Sequence, residues 1–367
     1  MIFIRTDANE KIATGHMMRC ITIAKELMMR KQKVRFLVSD QASVILLIKN
    51  DFDYVILDTK WNCMNSPKEI EKTKFILKTS YEKENIIPIL FVDSYFVSND
   101  YFKQLKPFAK LVMFDDLHRD IYDVDLLINY NVAYNQFNYK KSYINSATHL
   151  LLGSRYTPLR VQFLEYINKQ KTVYNKLCEL AKQATLNTQR QILLICGGGD
   201  PLNVLTQMLD RASRKEDFEN YYFHVVVGAY NSNIKELELF ERRFLNINLC
   251  YNVVNMAELM SNCDIAISSA STVLYECCSM GIPTIFFVMA DNQEDDGYAF
   301  AKDEYMVYAG DVRKNSIETI DFAFEALHKL SNDFDLQIKM SKHMQKIVDG
   351  RGTERIVNLF CQIFEID

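Results

Sequence analysis

Gln191-Ile192-Leu193-Leu194-Ile195-Cys196-Gly197-Gly198-Gly199-Asp200-Pro201-Leu202-Asn203 reads as a buried strand, a glycine turn and the entry to a helix. The apolar run Ile192 to Cys196 is too short for a helix and is closed by a turn signal, as a strand of a parallel sheet would be. Helical periodicity follows over 202–213, and Asp200 and Pro201 suit the N-cap and N1 positions of that helix. The stretch is one βα unit.

The rhythm continues downstream, with strands at Phe223 to Gly228, Ile247 to Tyr251, Asp264 to Ser268 and Thr284 to Val288 and helices near 232–243, 255–261 and 271–280. Upstream it recurs at Ile2 to Arg5, Val34 to Val38, Tyr54 to Leu57, Pro88 to Asp93, Leu111 to Phe114 and Leu126 to Asn129. Helical patterns there fall near 16–30, 41–49, 67–83 and 98–106. Residues 164–190, polar and rich in Lys, Gln and Asn, suit a helix and an exposed connection, which places a boundary near 165. The expectation is an α/β chain of two doubly wound Rossmann-type domains, 1–164 and 165–367, with ligands in a cleft at the carboxyl ends of the strands. Terminal helices near 315–331, 333–348 and 353–364 are assigned to the second domain, although one of them could pack back on the first.

Bulk properties narrow the function. A chain of 367 residues exceeds what one core usually organises, and 49% hydrophobic with 25% charged residues is globular composition. The 43 basic and 47 acidic residues are mixed, giving −4 without a single-sign block, so neither nucleic acid nor an anionic membrane is an expected partner, and no protein partner is legible. Nine cysteines without CxxC or zinc spacing read as reduced thiols. A charge at Arg5 interrupts any secretory start, and no apolar run reaches about 18 residues, so the expected location is cytoplasmic.

Three stretches are candidates for chemistry. The first runs from Arg5 and Asp7 through Gly15 and His16 to Arg19 and Cys20, leaving the first strand for a helix. The positive end of a helix disfavours imidazolium, and a neutral imidazole can accept a proton, so His16 is either a general base or a local capping residue. The second is the glycine turn, where Gly198 and Gly199 would offer amide N–H groups and a helix dipole to a diphosphate, or serve turn geometry alone. It matches neither GxGxxG nor GxxxxGK[ST], which argues against nicotinamide and ATP.

The third is Ser268 to Glu276. Ser271 and Thr272 at a helix start can donate to phosphate, while Glu276, one turn inside, can accept from vicinal ribose hydroxyls or remain a solvated helix glutamate. Asn292 and Gln293 follow the next strand, as a uracil or sugar contact or as loop caps. Asp51-Phe52-Asp53 and Asp123-Val124-Asp125 spell DxD but open early strands far from the other candidates, so no metal and no cofactor are expected.

These residues carry a family likeness. Arg5, Asp7, Ala8, Gly15, His16, Arg19 and Cys20, then Val92 to Tyr95, Asp115 to Leu117, Asp125 to Asn131, Leu151 to Gly153, Tyr156 and Leu159-Arg160 extend across the first half. Gly197-Gly198, Asp200-Pro201, Asn203, Asn255 to Ala257, Ser271-Thr272, Glu276, Gly281, Pro283, Asn292-Gln293, Asp349 to Gly352 and Arg355-Ile356 continue it. In them the chain resembles the UDP-2,4-diacetamido-2,4,6-trideoxy-β-L-altropyranose hydrolases of pseudaminic acid biosynthesis, relatives of the peptidoglycan UDP-GlcNAc transferase in the GT-B group. Departures are Ala13, where that family has glycine, and Ser154-Arg155 with Thr157-Pro158 in place of a more apolar stretch.

The resemblance implies metal-independent hydrolysis of a UDP-linked amino sugar with inversion. His16 would activate water and Tyr95 would line the sugar side. Gly198, Gly199, Ser271, Thr272 and Glu276 would bind UDP, and Arg5, Asp7, Gly15, Asn292 and Gln293 would complete the substrate contacts. The rival readings are a GT-B glycosyltransferase and a catalytically silent sugar-nucleotide binder. The identity of the sugar and its N-acyl groups is not legible.

Overall fold

The computed structural model describes residues 1–12, 14–180, 189–302 and 305–366, so Ala13 and part of the connection read at 164–190 lie outside the described residues. The chain forms two compact units, Met1–Leu159 with Arg351–Asp367, and Arg160–Gly350.

The first unit contains strands β1 (Ile2–Arg5), β2 (Val34–Val38), β3 (Tyr54–Ile56), β4 (Ile89–Asp93), β5 (Lys110–Phe114), β6 (Leu126–Asn129) and β7 (His149–Leu152). They form one sheet in the order β3-β2-β1-β4-β5-β6-β7, parallel throughout. Its helices are α1 (Gly15–Met29), α2 (Val44–Lys49), α3 (Pro67–Glu84), α4 (Asn99–Leu105) and α5 (Tyr139–Ser142). Central strands are apolar on both faces because helices cover both: every residue of β1 and β4 is buried, while the edge strand β3 stays half open.

The second unit begins with α6 (Val161–Asn168) and α7 (Val173–Leu180). Strands β8 (Arg190–Ile195), β9 (Tyr221–Val227), β10 (Ile247–Tyr251), β11 (Ile265–Ser269), β12 (Thr284–Val288) and β13 (Val307–Asp311) follow, in the order β10-β9-β8-β11-β12-β13 and again all parallel. Helices α8 (Val204–Ala212), α9 (Ile234–Arg243), α10 (Met256–Asn262), α11 (Val273–Met280), α12 (Glu294–Lys302), α13 (Ser316–Asn332) and α14 (Phe334–Ile347) clothe this sheet. No helix among the described residues is long and apolar enough to cross a membrane.

The last helix, α15 (Gly352–Phe364), belongs to the first unit, where it packs on α1 and stacks Phe360 on Phe91 of β4 at 6.4 Å between ring centroids. The division therefore falls at Leu159 rather than near 165, and of the terminal helices assigned to the second domain one packs back on the first, the alternative that the sequence left open. An apolar stripe on α15, with Ile356, Val357 and Phe360 buried, supplies the reason. Its seating leaves no room at Gly352, where an added Cβ would lie 2.1 Å from the Thr157 carbonyl oxygen. Gly352→Ala is expected to lower stability by about 1–3 kcal/mol, the usual effect of forced overpacking, read as a lower denaturant midpoint. An unchanged midpoint would show that the loop at Thr157 yields freely.

Candidate active site

Ligands of open parallel sheets bind where the strand order reverses, outside the carboxyl ends of the strands. In the first unit that point lies between β1 and β4. The loop from β1 leads into α1 and His16, and β4 ends on Asp93, so the topology places these two side chains together.

His16 Nδ1 lies 2.6 Å from Asp93 Oδ1. Asp93 is also held by Arg19, whose Nε donates to Oδ2 at 2.6 Å and whose Nη2 donates to Oδ1 at 2.5 Å. Burial alone would push the Asp93 carboxyl up, but Arg19 and His16 outweigh it and keep it well below the usual carboxylate range. An ionised carboxylate can only accept, so Nδ1 carries the ring proton and donates it to Asp93. That leaves Nε2 as the basic nitrogen. Arg19 Nη2, 3.2 Å from the same Nδ1, is then a close neighbour rather than a bonding partner.

Arg19 continues the network. Nη1 and Nη2 donate to the two oxygens of Asp116 at 3.0 and 2.8 Å, and Nη1 donates to the Tyr130 hydroxyl at 2.8 Å. Burial opposes the guanidinium charge, yet Asp116 and Asp93 together keep it firmly protonated. Tyr95 donates to Asp116 Oδ2 at 3.2 Å and meets the His16 ring edge-on at 4.4 Å between centroids. His16 is only 8% exposed, and it faces a small pocket lined by Asp7, Ile12, Trp61, Asp93, Ser94, Tyr95 and Phe96. Gly15, beside it at the start of α1, has open space where a Cβ would stand, and Thr14 makes no side-chain cap.

Arg5 departs from its expected role. It is wholly buried, with Nε on Glu69 Oε1 at 2.6 Å, Nη1 on Asp7 Oδ2 at 2.6 Å and Nη2 on Ser39 Oγ at 2.7 Å. No part of it is left to touch a substrate, and it acts by fixing Asp7, which does line the pocket. Sequence reasoning gave no role to Asp93, Arg19 or Asp116. The signal for Asp93 was present: a carboxylate closing the otherwise apolar strand Ile-Leu-Phe-Val-Asp93.

In the second unit the order reverses between β8 and β11, and again two candidate loops meet. Gly197 adopts φ 77°, and a Cβ there would come within 3.6 Å of Ser271 Oγ, so the glycine turn lies against the start of α11. The loop after β9 braces the turn from the other side, with Tyr230 N–H donating to the Gly198 carbonyl at 2.9 Å.

One expectation is corrected here. Asp200 is not the N-cap and Pro201 is not N1, because a turn intervenes and α8 begins at Val204 after Asn203 in the left-handed region at φ 53°. The buried Asp200 carboxylate accepts from both Val204 and Leu205 N–H at 2.8 Å. The first amides of α8 are thus occupied by the protein's own anion. Burial raises the Asp200 carboxyl, and those two amides partly offset the rise.

The start of α11 is open by comparison. Thr272 is its N-cap without a side-chain cap bond, and Ser271 Oγ sits a long 3.5 Å from Val273 N–H. Glu276 lies in its first turn, and its Oε1 accepts from Arg160 Nη2 at 2.7 Å. Asn292 is exposed beyond β12, whereas Gln293 turns its Oε1 onto Met289 N–H at 2.9 Å and so caps its own loop.

Two all-parallel Rossmann-type domains, each with polar loops at its strand-order switch, make a GT-B-like fold. Residues 191–346 match the family model of the glycosyltransferase family 28 C-terminal domain. Uncharacterized protein MJ1062 of Methanocaldococcus jannaschii is 25% identical over 307 residues, which are 80% of this chain, and the chain spans 57% of that relative's length. The UDP-2,4-diacetamido-2,4,6-trideoxy-beta-L-altropyranose hydrolase of Campylobacter jejuni is 22% identical over 83% of this chain and 98% of that one. Among solved structures, MurG of Acinetobacter baumannii superposes with a TM-score of 0.66 at 12% identity, over 98% of this chain and 99% of its own.

Proposed function

We propose that the chain hydrolyses a UDP-linked diacetamido-trideoxy or related amino sugar to the free sugar and UDP without a divalent metal. The observation that carries this reading is His16 Nδ1 locked on the ionised Asp93 at 2.6 Å, with the His16 side chain lining a small pocket. In this mechanism Nε2 takes a proton from water as its oxygen attacks the anomeric carbon. The bond from that carbon to the phosphate oxygen breaks, and its electron pair leaves on UDP with inversion at the sugar. Ser271, Thr272, Gly198 and Gly199 hold the diphosphate, and Glu276 holds the ribose. The departing diphosphate is stabilised by these donors, so no second carboxylic acid is required to protonate it, unlike in ordinary glycoside hydrolysis.

The curated Campylobacter relative bears a hydrolase's name over nearly its whole length, which favours water as the acceptor. The family 28 match favours a second reading, transfer to an acceptor hydroxyl deprotonated by the same His16.

A single experiment separates the two. The purified protein, in EDTA and labelled water without any acceptor, is given a panel of UDP-linked monoamino and diamino trideoxy sugars. Hydrolysis releases UDP with the label in the sugar. Label in the UDP phosphate would overturn attack at carbon, and UDP release only after adding an acceptor would make the chain a transferase.

A further inference from the structure

The reading of Glu276 as the ribose acceptor leaves its ion-pair partner without a role. Arg160 opens the second unit as the residue before α6, and α6 packs against α11. Its Nη2 reaches Glu276 Oε1 at 2.7 Å, and its guanidinium lies 5.4 Å from the centre of the Phe163 ring. Both side chains are mostly shielded, at 26% and 17% exposure, so water screens the pair less than it would a surface pair.

We infer that Arg160 is a positioning residue for nucleotide recognition, holding Glu276 Oε1 so that Oε2 faces the ribose 2′- and 3′-hydroxyls. The proposal rests on Glu276 as the ribose acceptor. A helix glutamate has three side-chain torsions, and fixing them costs a sizeable part of what a hydroxyl contact returns. Arg160 bears that cost before ligand arrives. The planar guanidinium, itself held over Phe163, fixes direction as well as charge, which an ammonium on a flexible stem does not.

Titration calorimetry of the full chain with UDP and 2′-deoxy-UDP tests this in the native protein, E276A, R160M and R160K. The native protein is expected to prefer UDP by about 10-fold or more, the scale of a hydrogen bond to a charged group. E276A should abolish the preference, R160M should remove most of it, and R160K should restore part. A merely structural role would weaken both ligands equally and leave the ratio alone. Methionine keeps an unbranched apolar stem at this position, so folding is expected to survive. Should R160M unfold, a several-fold loss of preference in folded R160K supports the proposal and a native ratio overturns it. A native ratio in folded R160M, or tighter UDP binding because Arg160 competes for the carboxylate, also overturns it. A native ratio in E276A refutes the ribose reading itself, and the role of Arg160 falls with it.

Discussion

His16→Ala is expected to lower turnover by roughly 10²–10⁴-fold, the range of general-base catalysis, while UDP affinity stays within about twofold. The separation follows from placement. His16 belongs to the β1–α1 loop of the first unit, whereas the residues assigned to UDP lie after β8 and β11 of the second. Alanine also removes the ring that meets Tyr95 edge-on, so the variant's thermal unfolding must be measured beside its rate. Imidazole added to the folded variant should return part of the lost rate, because the missing group is a proton acceptor in a pocket. Near-native activity in a folded variant would make His16 a packing residue and remove the assigned base.

The architecture was legible because central parallel strands are written as short, nearly unbroken apolar runs. Ile2–Arg5, Val34–Val38, Ile247–Tyr251 and Thr284–Val288 fall where the sequence places them. The elements that escaped notice lie at the edges. β7 is half open with an exposed His149, and β13 contains Gly310 at φ 134° and few strong β-formers, so neither shows the doubly buried pattern. α12 begins Glu-Asp-Asp-Gly and reads as a polar loop until its buried Gly297, Ala299 and Phe300 are seen against the sheet.

The candidate site was legible by a different rule, since turn glycines, helix-start hydroxyls and a histidine after a glycine are local signals. What stayed hidden is long-range pairing. His16 and Asp93 are 77 residues apart, and Arg160 and Glu276 are 116 apart, so no window along the chain joins them. The same limit explains Arg5, for which the family resemblance implied a substrate contact. Its partners Ser39 and Glu69 arrive from the loop after β2 and from α3 and close it off from solvent. Local glycine chemistry also misread Asp200, because the carboxylate that caps α8 reaches past an intervening turn.

Asp93→Asn should be nearly as damaging to turnover as loss of His16, roughly 10²–10⁴-fold, although it changes one atom. The native carboxylate offers two acceptors. Oδ1 serves His16 Nδ1 and Arg19 Nη2, and Oδ2 serves Arg19 Nε with the Cys20 thiol 3.4 Å away. An asparagine has one oxygen. If its NH2 takes the Oδ1 position it donates to Nδ1, the ring proton moves to Nε2, and the base is lost. If it takes the Oδ2 position it opposes the Arg19 Nε–H, and the guanidinium that fixes both Asp93 and Asp116 must shift. Either arrangement also leaves a buried donor unpaired, at about 1–3 kcal/mol of stability near neutral pH. The pH dependence has a definite sign. Asp93 is depressed in the folded state, so its contribution is complete above the ordinary carboxylate range and is lost as pH falls through the lower folded value. The stability gap between native protein and variant should therefore be flat from about pH 8 to 5 and shrink below about pH 4. Nitrogen NMR of the labelled His16 ring, with turnover and denaturant midpoints across that range, checks all three consequences. Native turnover with the proton still on Nδ1 would show that neither ring orientation nor charge at Asp93 serves the reaction.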